Sequence, residues 1–210
     1  MTVTDWRATP EAPHAEHIAR LRALDREANA VRGWQPTLFP GVLQSAAYAA
    51  AVLATLAPAL PAEERTARAH ARTERINALG AGPGRTAAFV IPAATLTRPM
   101  GGMHVLADQL GYVLDLVALR PSVTVHVLAD DEAHAGLAGG FVLYELGAEQ
   151  AVLREDLAGT HLTREPDDVA AYRAAFADLL ERALPPAASL DLIEETKGTL
   201  CATLNRPSAG

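Results

Sequence analysis

The period of the apolar residues first changes at Gly80-Ala81-Gly82-Pro83-Gly84, where an all-helical pattern gives way to strands mixed with helices, and that change limits the fold more than any other feature. Before it, Ile18, Leu21, Leu24, Ala28 and Val31 recur at steps of three and four, the one-face pattern of a helix that Gly33 stops. Residues 44–56 read as a second, alanine-rich helix, and Pro61 with Glu63 and Glu64 opens a third that runs to about Leu79. After the glycines, 86–91 is a compact apolar run, and 122–128 sets Val123, Val125 and Val127 on one face against Thr124 and His126 on the other. A period of two belongs to strands. Residues 141–146 and 150–155 form a hairpin, a helix fills 103–117, and two more follow, over 169–184 and after a cap at Ser189.

This order predicts an α+β fold: N-terminal helices plus a small, mostly antiparallel sheet, with the helices on one side of it. The expected organisation is a flexible N-terminus (1–17), one α+β domain (18–198) with a possible subdivision near 80–84, and a frayed tail (199–210).

Charge and cysteine content narrow the function classes. Eighteen Lys+Arg against 25 Asp+Glu leave a net charge of −7, and Lys197 is the one lysine, so the positive charge is almost all arginine. An acidic chain is a poor match for a phosphate backbone, and direct nucleic-acid binding is not expected. Cys201 is the only cysteine, which rules out an intrachain disulfide and a thiolate zinc site. With no signal-like start and no run of apolar residues long enough to span a bilayer, the expected location is the cytoplasm.

No serine elbow, zinc-protease helix, phosphate loop or dinucleotide fingerprint occurs. His14 and His17 stand three apart but lack a third ligand, so no metal and no cofactor is expected. Two groupings remain. Arg65, Arg68, Arg72 and Arg75 fall on one stripe of the third helix, and Arg68 and Arg72 are candidates to hold an anionic ligand or an acidic partner; the alternative is a solvated face paired with Glu64 and Glu74. In the sheet region, His126, His134 and Glu155 are the residues that could serve as acid, base and orienting carboxylate if strand pairing brings them together. The rings of Trp34, Phe39, Tyr48, Phe141 and Tyr144 either line a ligand pocket or pack the core.

Four blocks, at 34–49 (WQPTLFPGVLQSAAYA), 98–110 (RPMGGMHVLADQL), 122–146 (SVTVHVLADDEAHAGLAGGFVLYEL) and 154–184 (REDLAGTHLTREPDDVAAYRAAFADLLERAL), together resemble a family. It is the antitoxin-like domain of unknown function found C-terminal to Xre-type helix-turn-helix regulators of actinobacteria. The resemblance spans roughly 18–194, and Glu155 matches a family glutamate, whereas Ser45, Ala93, His104 and His126 depart from the usual residues. It implies a sensor-like domain that binds a small molecule or a regulator- or toxin-like protein, possible homodimerisation included, while a preceding domain contacts DNA. Only 17 residues precede Ile18, fewer than a helix-turn-helix needs, so the copy is expected to stand alone. The expected function is therefore ligand or partner binding. The alternative is a cofactor-independent cyclase, isomerase or hydrolase of small-molecule biosynthesis on the same fold.

Overall fold

The computed structural model describes residues 6–8, 14–79, 82–129, 133–156 and 159–205. These form one seven-stranded mixed sheet from β1 (Trp6–Ala8), β2 (Ala30–Trp34), β3 (Thr86–Pro92), β4 (Val123–Leu128), β5 (Phe141–Leu146), β6 (Glu149–Asp156) and β7 (Gly159–Thr163). The order is β1-β7-β6-β5-β2-β3-β4. Only β2, β3 and β4 run parallel; the other neighbours are antiparallel. Parallel neighbours need a crossover, and α2 (Ala46–Leu56) with α3 (Ala62–Arg75) supplies the first, α4 (Met103–Leu119) the second. The remaining helices are α1 (His14–Glu27), α5 (Pro166–Arg182) and α6 (Pro186–Leu204). This is the expected α+β class.

Both faces of the sheet are buried. On one, Val31, Ala87, Phe89, Ile91, Val125, Val127, Tyr144 and Leu153 meet Leu21 and Leu24 of α1, Tyr48 of α2, Leu106 and Leu110 of α4 and Ile193 of α6. That core draws on residues from both sides of the glycine punctuation. On the other face Trp34, Val90, Leu128, Phe141, Leu143 and Val152 pack under Val169, Phe176 and Leu179 of α5. Helices therefore lie on both sides of the sheet, against the one-sided expectation. The apolar run in β3 is the reason, since Ala88 and Val90 point away from Ala87, Phe89 and Ile91 and need their own cover.

Three boundaries also differ from the sequence reading. The first helix ends at Glu27, and Val31 lies in β2 between β3 and β5. The strand can sit so close to its neighbour because Gly33 has no side chain: a Cβ there would come within 2.6 Å of the Phe89 ring. Helix α6 continues to Leu204, so 199–204 is helical and not frayed; 206–210 lie outside the described residues. At the N-terminus, 6–8 form β1 and 14–17 belong to α1, while the rest of the stretch expected to be flexible lies outside the described residues.

Ser189 does not cap a helix. It is fully buried in the first turns of α6, where its hydroxyl accepts from the Val127 backbone N–H at 2.9 Å and donates to the Leu184 carbonyl at 3.1 Å. The Leu184 N–H in turn reaches the Val127 carbonyl at 2.8 Å, so the α5–α6 elbow pairs with the free edge of β4 and blunts it. Ser189→Ala should cost about 1–3 kcal/mol, the desolvation penalty of an orphaned buried N–H. Unchanged urea-unfolding midpoints would show that the edge is satisfied another way.

Candidate functional site

The sheet separates Glu155 from the two histidines considered with it for proton transfer. His126 projects from β4 on the α5 side, where its Nδ1 lies 3.2 Å from the Leu184 carbonyl and so carries the proton. His134 precedes the 3-10 turn Ala135–Ala138 and meets Trp34 edge-on with ring centroids 5.3 Å apart. Glu155 lies on the opposite face: it is two and four residues on from Leu153 and Ala151, which point to the α1–α3 side, whereas Arg154 lies over the Tyr172 ring of α5. It is also four strands from β4, roughly 19 Å at the usual spacing. Glu155 cannot orient either imidazole.

The five aromatic rings are likewise divided. Trp34 and Phe141 belong to the α5-side core, and Phe39, Tyr48 and Tyr144 to the other, each almost wholly buried. Phe39 and Tyr48 stack edge to face at 5.4 Å, and Phe141 packs against Tyr172 at 4.9 Å. They are core residues on two sides of the sheet, not one lining.

The arginine stripe, by contrast, faces inward. Helix α3 turns Arg68, Arg72 and Arg75 toward α1 and the sheet, and each finds a different environment. Arg75 is buried and grips Asp25 of α1 with two bonds, Nε to Oδ2 at 2.7 Å and Nη2 to Oδ1 at 3.1 Å, while the Tyr144 hydroxyl donates to the same Oδ1 at 3.2 Å. Burial works to lower the pKa of Arg75, and the Asp25 carboxylate more than reverses it. Tyr144 is pushed well above the usual phenol range by burial and then by Asp25. This triad is closed. Arg68 pairs with Glu64 one turn back, at 2.5 and 3.1 Å.

Arg72 is the exception. Its Nη1 donates to Oε1 of Gln44 at 3.1 Å, and no carboxylate among the described residues comes within ion-pair distance. Gln44 is itself buried and fixed by donating from Nε2 to the Phe39 carbonyl at 2.7 Å. A second glutamine, Gln109 of α4, braces the same loop by donating to the Leu43 carbonyl and accepting from the Ser45 N–H, both at 2.7 Å. Arg72 thus points from a rigid neutral support. Burial lowers its pKa, and the charge of Glu155 raises it from a distance. Across from it, Glu155 approaches Nε2 of His17 at 3.9 Å. These groups come together between α1, α3 and the end of β6 in a charge-balanced cluster, the recess.

The sequence reading singled out Arg68, Arg72 and Glu155 but missed Asp25 and the role of His17. A signal existed for Asp25, which continues the apolar spacing Ile18, Leu21, Asp25, Ala28 and so stands where a buried counter-charge is needed.

His17 and His126 both have pKa values lowered, mainly by burial. The unfolded chain therefore binds protons that the folded one resists, and stability should fall as pH drops below about 6.5, being fully present above it. Urea midpoints at about pH 7.5 and about pH 5.5 check this; a difference that persists in a His17→Gln/His126→Gln variant would assign it to other groups.

Among the described residues no helix is long and apolar enough to cross a membrane. The model of a protein family described as a domain of unknown function (DUF5753) matches residues 18–195, a span that holds Arg68, Arg72 and Glu155 and begins one residue after His17. No curated protein matches the chain.

Proposed function

Since the chain belongs to the DUF5753 domain family, we propose that it is a binding protein whose ligand is taken at the recess of His17, Arg68 and Arg72, as the effector-sensing half of an Xre-type regulator would take it. The observation that carries this reading is Arg72, a guanidinium held toward the recess by a neutral amide and lacking a contacting anion. Two of the three inward arginines have direct carboxylate partners, Glu64 and Asp25. Keeping the third without one costs desolvation energy that a fold would otherwise relieve with a carboxylate, and a ligand anion relieves it instead. The competing reading, proton transfer by His126, His134 and Glu155, needs a carboxylate beside the imidazoles, and Glu155 lies across the sheet from both. A cytoplasmic effector of a partner regulator is the setting this reading implies.

Thermal-shift measurements with a panel of anionic and neutral small molecules test it. The expected result is stabilisation by some anionic members that disappears in Arg72→Gln, because ligand binding raises Tm by mass action. Stabilisation that is the same in Arg72→Gln would place the ligand elsewhere and overturn the assignment.

A further inference from the structure

Resting on that reading, we propose that the group the recess takes from its ligand is a single carboxylate, and that Glu155 is its built-in rival, which the ligand displaces. The charge count is the first argument. Arg68, Arg72 and Arg75 are balanced by Glu64, Asp25 and Glu155, yet only the first two carboxylates touch an arginine. Glu155 compensates Arg72 without reaching it. With Glu155 turned out to solvent, the recess has one positive charge in excess, which one monoanion neutralises and a dianion overshoots.

The second argument is how weakly Glu155 is held. Its Oε1 is 3.9 Å from His17 Nε2 and 3.5 Å from the Thr160 hydroxyl, both far longer than the 2.7–2.9 Å of a charge-assisted bond. Its side chain is 51% exposed, so it can leave without opening a hole in the core. Arg75 and Asp25 show the opposite design in the same recess, a two-bond contact at 2.7 and 3.1 Å between side chains that are nearly or fully buried. The fold thus has one fixed ion pair and one loose counter-charge side by side. Arg72 has donors left over after Gln44, in the planar fork that suits a carboxylate. His17, next to the departing Glu155, is the second group in a position to meet the incoming oxygen.

Titrations of isotope-labelled protein with acetate and benzoate, at constant ionic strength and with benzamide and inorganic phosphate as comparisons, test the proposal by NMR. The expected result is that both carboxylates shift the His17 and Arg72 side-chain signals, bind about tenfold tighter to Glu155→Gln than to the wild type, and lose these effects in Arg72→Gln. Benzamide should not compete, and phosphate should bind more weakly than acetate. Carboxylate binding that needs Arg72 but is unchanged or weakened in Glu155→Gln would remove Glu155 as the rival and leave the binding site standing. Tighter binding of phosphate would overturn the ligand class. Binding by neither carboxylate, in the wild type or in Glu155→Gln, or equal binding in Arg72→Gln, would overturn this proposal, and equal binding would count against the Arg72 site as well.

Discussion

Asp25→Ala should lower the stability of this domain by about 3–5 kcal/mol, the usual cost of removing one partner from a buried ion pair. The Asp25 side chain is fully buried and that of Arg75 nearly so, and the two share a two-bond contact into which Tyr144 also donates. Alanine leaves a guanidinium in the core with no anion, and a phenol with no acceptor, while the pair itself contributes far less than this penalty. Against a total of about 5–15 kcal/mol for a typical domain, the variant stands close to unfolding at room temperature. Asp25→Asn, which keeps the shape and one acceptor, should be the milder variant and remains measurable if alanine does not fold. Urea unfolding of Asp25→Ala, Arg75→Leu and the double variant gives the coupling: the double should be less destabilised than the sum of the singles. Simple additivity would mean that the two side chains do not act as a pair.

The same pair shows what a sequence of this kind reveals and what it withholds. The element types of β3 to β6 and α4 to α6 are readable because each of these strands carries a period of two or an unbroken apolar run and each helix a period near 3.6, whereas β7, with Leu162 its only large apolar residue, does not read as a strand. Residues 28–34 mislead for a physical reason. Val31 follows Ala28 at a helical step, and Gly33 resembles a helix stop, so the first strand of the parallel set reads as the end of α1. Only pairing on both sides, with β3 and with β5, makes it a strand, and pairing is a tertiary fact. The polar face of β4, Thr124 and His126, suggested a solvated side of the sheet, although β3 beside it is apolar on both faces and required α5. For the recess, helical spacing placed Arg68, Arg72 and Arg75 on one stripe but could not say whether it faced water or the core. The grouping of His126, His134 and Glu155 failed because strand order and facing, which decide proximity, leave no mark in the spacing of residues.

Trp34→Ala is the second large effect, expected at about 3–5 kcal/mol for truncating a buried tryptophan. The magnitude follows from where the ring sits. Trp34 pairs with Phe141 on β5 and Val90 on β3, and Val90 with His126, so the ring lies near the middle of the α5-side row. That face has a smaller core than the other, closed by α5 and the turn Ala135–Ala138, and the indole fastens the turn by donating from Nε1 to the Gly136 carbonyl at 2.8 Å. Gly136 must be glycine for this approach, since a Cβ there would be 2.7 Å from the indole nitrogen. Trp34→Phe fills much of the space but leaves the Gly136 carbonyl with only the Gly139 N–H, at 3.2 Å, and should cost about 1 kcal/mol for the lost bond on top of the smaller ring. Because the sheet separates this core from the recess, Trp34→Phe should speed hydrogen exchange in the turn and α5 while leaving Asp25, Arg75 and the carboxylate response of Arg72 unchanged. If exchange instead rises equally in α1 and α3, the two faces unfold as one unit and the sheet does not insulate the recess from the core behind it.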